Sequence, residues 1–283
     1  MRRRTSGRGS DMKVSKILLG IDRRFIFIGV ALSIAIPLLM PIGFGTSVTR
    51  QVQDVYNFVE NLEDGATVIM SFDYEPSTMA ELDPMARSML KHLMRKNAKV
   101  LGMALLAGAP GIAENVLREE TELAGREYGI DWVFLGYVPA PTAAMLRIGE
   151  DISMVYPTDQ YGTPLSEFPI MKGIKNYRNI DLVISYSSTA MPQFWAQYAH
   201  DRYGAPVAVG ATAVEAIRMY PYHDSGQIIG FLGGLKGAAE YESLMGEPGE
   251  GIKGMDAQTI AHLFMVLMII IGNIGHFAER RGA

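Results

Sequence analysis

The chain has 283 residues, 48% of them apolar, with 18 Met, 13 Tyr and no Cys. That composition excludes a disordered or fibrous chain. The lack of Cys excludes disulfides, Cys-based zinc sites and thiol catalysis. The net charge of −4 is unevenly spread: residues 1–24 balance at +6, the last five at +1, and 25–278 therefore at −11. So acidic a segment repels phosphate backbones, which argues against nucleic acid as a partner.

Residues 25–46 read FIFIGVALSIAIPLLMPIGFGT, 22 positions without a charge. At about 1.5 Å per residue, a helix of that length crosses a hydrocarbon layer of roughly 30 Å. Pro37 and Pro41 sit toward its exit end, where a span tolerates them. The stretch outruns the apolar core of a cleaved signal peptide and has no small-residue cleavage site before Arg50, so it reads as an uncleaved anchor. Residues 260–277, IAHLFMVLMIIIGNIGHF, are again free of Asp, Glu, Lys and Arg. Apolar on every side, they predict a second transmembrane helix, over 258–278.

The flanking charges orient both spans. Arg2, Arg3, Arg4, Arg8, Lys13, Lys16, Arg23 and Arg24 precede the first, and Arg280 and Arg281 follow the second. Asp54, Glu60, Glu63, Asp64, Glu247, Glu250 and Asp256 lie between them. The positive-inside rule then makes 1–24 and 279–283 cytoplasmic tails. It places 47–257 outside the cytoplasmic membrane, in a periplasm or at the cell exterior. Anionic lipid is the expected contact of the basic tail.

Between the spans, apolar runs alternate with amphipathic ones. The strand read over 66–74 is followed by a helix from Ser77, its N-cap, with Leu82, Met85, Met89, Leu90 and Leu93 on one face. A second strand is read over 99–107. The helix over 110–128 aligns Ile112, Val116, Leu123 and Ala124. A third strand (131–138) and a helix (142–150) follow. Residues 151–178, broken by Pro157, Gly162, Pro164, Pro169 and Gly173, predict a long excursion with one short helix. Then come a strand (180–187), a helix (194–204), a strand (205–210) and helices over 211–219 and 225–245, split at Pro221. Continuous apolar strands alternating with helices predict a parallel sheet covered on both faces. The expected fold is α/β: a three-layer Rossmann-like or flavodoxin-like sheet of about five strands plus two transmembrane helices.

No nucleotide-binding, hydrolase or metalloprotease motif is present. Ser71, Phe72, Asp73 and Tyr74 occupy the turn where a dinucleotide fingerprint would lie, so no cofactor is expected. Gly233, Gly234 and Gly237 read as a close-packing helix face. His92, His200, His223, His262 and His276 form no ligand pair, so structural roles and no metal are expected, and no catalytic residue is assigned. Open α/β folds place ligands at the carboxyl edge of the sheet. There the sequence offers Ser71, Asp73, Ser187, Ser188, Thr189 and Thr212 as ligand-binding candidates, with helix capping as the plainer role for Asp73. In the second span, Gly272, Asn273 and Gly275 are candidates for packing against another helix.

The segments VIMSFDYEP, PTDQYGTPL, SGQIIGFLGGLKGAAEYE and GMDAQTIAHLF resemble a family of uncharacterised prokaryotic membrane proteins. The resemblance runs over nearly the whole chain from the first span onward. It implies the architecture of span, α/β domain, span, and carries over no functional residue. Two functions are then expected to compete. One is a membrane-anchored binding or assembly module that contacts copies of itself or neighbouring membrane proteins. The other is a tethered enzyme or solute receptor that takes a small molecule around Asp73.

Overall fold

A computed structural model describes residues 22–45 and 47–282, so most of the expected basic tail lies outside the described residues. The chain divides into two compact units, 45–252 and the flanking stretches 1–44 and 253–283.

Helix α1 (Arg23–Leu39) has 17 residues, with Asp22 capping it by accepting from Arg24 N–H. At about 1.5 Å per residue it is about 25 Å long, short of the roughly 30 Å of a bilayer core. The 22-residue span expected over 25–46 is therefore shortened. The residue before a proline disfavours helix, so Met40 breaks the helix ahead of Pro41, and Gly43 turns the chain at φ +70°.

The unit 45–252 is a six-stranded, all-parallel sheet ordered β3-β2-β1-β4-β5-β6. Helix α2 (Arg50–Glu60), not among the elements predicted above, buries Val52, Val55 and Val59. Strand β1 (Thr67–Asp73) is buried throughout and leads to α3 (Met79–Arg95). Ser77 does not cap α3: it sits in a 3₁₀ turn (Pro76–Thr78) that precedes the helix. The face from Leu82 to Leu93 is buried as expected. After β2 (Lys99–Ala104), α4 (Pro110–Leu123) buries Ala113, Val116 and Leu117, while Leu123 and Ala124 are exposed. The true core stripe is thus rotated from the expected one. Next come β3 (Trp132–Tyr137) and α5 (Pro141–Ile148). The excursion 151–178 contains 3₁₀ turns in place of the expected short helix.

After β4 (Leu182–Ser187), α6 (Met191–Trp195) continues through a π-helical turn (Ala196–His200). Strand β5 (Val207–Ala211) leads into α7 (Ala213–Ala216) and a further helical turn, Tyr220–Asp224. Pro221 lies at the start of that turn and separates nothing. The segment read as one helix over 225–245 holds a sixth strand, β6 (Gly230–Gly233), before α8 (Gly234–Met245). Gly233 and Gly234 therefore mark a strand-to-helix junction, with Gly234 at φ +59°. Gly237 does pack closely, since a Cβ there would meet the Leu232 backbone at 2.8 Å.

Parallel strands covered on both faces need apolar side chains in both directions. On one face Val68, Met70 and Phe72 pack with α2, α3, α4 and α8. On the other, Ile69, Leu101 and Val183 pack with α5, α6 and the 151–178 excursion.

Buried carboxylates hold the backbone where regular structure stops. Glu240 accepts from Thr49 N–H at 2.9 Å and from its hydroxyl at 2.6 Å. Glu242 accepts from Gly249, Gly251 and Ile252 N–H at 2.8–2.9 Å, capping the start of α9 (Glu250–Gly282). In the other unit, Asp256 accepts from Ile42, Gly43 and Phe44 N–H at 2.7–3.1 Å, and the Phe264 ring lies against the bare backbone of Gly29. Helix α9 starts ten residues before the span read over 260–277. Its stretch Glu250–Phe277 is the one helix among the described residues that is long and apolar enough to cross a membrane, where two were expected.

Strand β6 is docked through glycine: a Cβ on Gly230 would lie 2.2 Å from the Gln51 carbonyl oxygen. Gly230→Ala should therefore lower stability by about 1–3 kcal/mol. In α4, a Cβ on Gly111 meets nothing within 4 Å, so Gly111→Ala should leave stability unchanged or slightly raised. Urea denaturation of both variants checks the pair. Equal effects would mean that α2 does not dock on β6 as described.

Candidate functional site

The order of the strands reverses direction between β1 and β4, which is where an open α/β sheet leaves a crevice at its carboxyl edge. Each of these two central strands ends in a polar-x-polar pattern, Ser71-Phe72-Asp73 and Ser185-Tyr186-Ser187. Alternation sends Phe72 and Tyr186 to one face and the four polar side chains to the other. Ser71 pairs with Ser185 and Asp73 with Ser187 across the ladder, on strands about 4.8 Å apart. All four are 0% exposed.

Ser71 Oγ donates to one Asp73 carboxylate oxygen at 2.7 Å, and Leu105 N–H donates to the other at 2.8 Å. Asp73 thus ties the end of β1 to the chain leaving β2 and does not cap α3, which corrects the plainer expectation for it. Ser187 Oγ donates to the Asp73 carbonyl at 3.1 Å and accepts from Thr189 N–H at 3.0 Å. The excursion supplies Tyr156 to this cluster and α6 supplies Trp195, both buried. The Trp195 N–H faces Asp73 and helps hold its charge. Even so, Trp195 Nε1, Tyr156 Oη and Ser185 Oγ are enclosed without a hydrogen-bond partner.

Burial dominates the electrostatics. It pushes the Asp73 carboxyl from 3.8 up to about 6, against the hydrogen bonds from Ser71 and Leu105 and the weaker pull of the facing Trp195 N–H. It also raises the Tyr156 phenol, with the Asp73 charge adding to the effect.

The structure thus brings together Ser71, Asp73 and Ser187, with Thr189 bonded at the rim and Ser188 half-buried beside it. Thr212, next to the ladder partner of Ser187, is buried but bonds to none of the cluster: its carbonyl accepts from Ala216 N–H at the start of α7, and its hydroxyl makes no cap bond. Of the helix-packing candidates, Gly275 is buried, whereas Gly272 and Asn273 are exposed. Ser185, Tyr156 and Trp195 escaped the sequence reading. The repeated polar-x-polar ending of two apolar strands is the signal that finds Ser185. Tyr156, on an irregular segment, has none. His92 is a structural tie, with Nδ1 at 2.7 Å from Tyr241 Oη and Nε2 at 2.7 Å from Glu60.

Compared with protein families, curated proteins and solved structures, the chain matches none.

The raised carboxyl gives a signed prediction. Between about pH 4 and 6 the native state binds the Asp73 proton more readily than the unfolded chain. The stability tied to this proton is therefore full below pH 4 and lost as pH rises through 6. Asp73→Asn removes the titration, so wild type should lose up to about 3 kcal/mol relative to the variant between pH 4 and 7. Parallel denaturation curves at all pH values would refute it.

Proposed function

We propose that this protein is a membrane-anchored α/β module that assembles with copies of itself or with neighbouring membrane proteins. The observation that carries this reading is α9. Within its Glu250–Phe277 stretch the most apolar 18 residues have a mean hydropathy of 1.9, and only 11% of them are buried. A core helix with that composition would be covered by protein. Leu263, Val266, Ile269, Ile270 and Ile274 are instead at least half exposed, as lipid-facing side chains are. Helix α1 completes the anchor as a second, shorter span. The charge pattern of the sequence orients both termini to the cytoplasm and the sheet outside.

Assembly is suggested by Gly272 and Asn273. A Cβ on Gly272 would meet nothing within 4 Å, and Asn273 is an exposed amide on an apolar helix. In lipid, such an amide is best satisfied by a facing helix, though that bond contributes only about 0.6 kcal/mol on average. The sheet is read as Rossmann-like, because its strand order is that of the doubly wound dinucleotide folds. Without the glycine fingerprint after β1, no dinucleotide is assigned. A second reading, a solute receptor or enzyme at the switch point, is favoured by the three enclosed, unpartnered polar groups around Asp73.

Light scattering of the full chain in detergent tests assembly. An oligomer whose mass drops in Asn273→Leu is expected, and a monomer unaffected by the substitution would overturn self-assembly. Topology has its own check: alkaline phosphatase fused at Gly249 should be active and green fluorescent protein at the C-terminus bright. The opposite pair of signals would reverse the orientation.

A further inference from the structure

The helical turns after β5 are built inside out. From Ala213 to Asp224 the chain runs through α7, a 3₁₀ turn (Ile217–Met219) and the turn that starts at Tyr220. Positions three apart share a face in such turns. Here Val214, Ile217 and Tyr220 point outward, at 81%, 71% and 45% exposed. Glu215 is turned inward, buried, where it accepts from the Gln193 amide at 3.0 Å. Burying a carboxylate while two β-branched side chains stay in water reverses the usual preference, and an exposed apolar patch of this kind marks a contact surface. The stripe borders a cleft of about 380 Å³, lined by Ile217 and Tyr220 together with Thr49, Lys236 and Glu240.

Thr49 and Glu240 also say where the stripe lies within the unit 45–252. Both ends of that unit are fastened to α8, two residues apart: Glu240 holds Thr49, and Glu242 holds the N–H groups of Gly249, Gly251 and Ile252. Two residues of helix rise by about 3 Å. The chain therefore leaves the unit toward both apolar helices from one stretch of α8, and the cleft beside the stripe is lined by that same stretch.

We propose that Val214, Ile217 and Tyr220 form a lipid-contact surface that rests at the boundary between head groups and acyl chains. This rests on the membrane-anchored reading above. The residue types suit that boundary. Val and Ile enter its apolar side, and Tyr is a head-group-level residue. Arg218, whose side chain is 68% exposed beside the stripe, is placed to reach a lipid phosphate. Size favours lipid over a second copy of the chain. Three side chains fall well short of the roughly 800 Å² per partner that a specific protein interface buries. A lipid surface demands no such area when spans already hold the unit next to it.

The chain has no Cys, so a single introduced thiol can be labelled alone. Ile217→Cys, Leu123→Cys and Leu267→Cys each receive a small polarity-sensitive dye. The full chain is then reconstituted in phosphatidylcholine–phosphatidylglycerol vesicles whose upper acyl chains carry bromine, a contact quencher. An interfacial element sits about 5–10 Å into that region. Leu123 is as bare as Ile217, at 82% exposed, but lies on α4, which packs on β2 and β3 away from β6. Leu267 lies in the apolar stretch of α9 and reports on anchoring. All three side chains are exposed, so the substitutions should spare the fold. Loss of emission at 217 and 267, a blue shift at 217 and neither change at 123 are expected. Loss at 267 alone leaves the anchor standing and overturns the lipid contact. Equal loss at 123 and 217 overturns it too, as contact without a preferred face. No loss at 267 overturns the anchored reading and this proposal with it. An unquenched 217 whose free thiol cross-links to a second copy on oxidation assigns the stripe to self-assembly and overturns the lipid contact.

Discussion

The structure depends on finding partners for backbone N–H groups where helices and strands end. Those groups have no partner within their own element, and leaving them buried and unpaired is costly. This chain answers repeatedly with a carboxylate. Asp256 takes three successive amides after α1, Glu242 takes three at the start of α9, and Glu240 takes Thr49 ahead of α2. Asp181 takes Thr67 N–H at the start of β1, Asp159 takes Tyr161 and Thr163 within the excursion, and Asp73 takes Leu105 at the switch point. A charged acceptor makes a stronger bond than a neutral one and tolerates several donors.

That device gives the negative balance of the central segment a different meaning. Glu240, Glu242 and Asp256 are at most 3% exposed. They add to the formal charge without facing solvent as the sequence reading assumed. Asp256 entered that reading as a flanking acid that helps to orient a span. In the structure it is a structural acceptor that holds residues 42–44, the irregular stretch that follows Pro41 and turns at Gly43. The basic residues outside the two spans are what the positive-inside rule reads.

The legible parts of the fold were those with a long, repeated pattern. The five strands that are five to seven residues long and dominated by apolar residues are all located, as is the buried face of α3 from Leu82 to Leu93. Strand β6 was hidden because four residues, Gly-Phe-Leu-Gly, are too few to show a period. They also lie next to a true helix, which absorbed them. The stripe on α4 was misplaced because Leu123 looks like a core residue, but it lies at the helix end with nothing over it. At the candidate site, Ser71, Asp73 and Ser187 were legible because edge position and residue type suffice to nominate them. Tyr156 and Trp195 reach the same place through tertiary folding of an excursion and a helix, which no local pattern encodes.

The contact between Gly29 and Phe264 carries a consequence for how this sequence can vary. The ring occupies the volume that a side chain at position 29 would need, since a Cβ there would fall 2.3 Å from the ring. A larger residue at 29 requires the Phe264 ring to swing aside or position 264 to shrink, because close-packed contacts respond to single methylene changes. The two sites, 235 positions apart in the chain, should therefore drift as a pair across related sequences, with the sum of their volumes held nearly constant while each one varies.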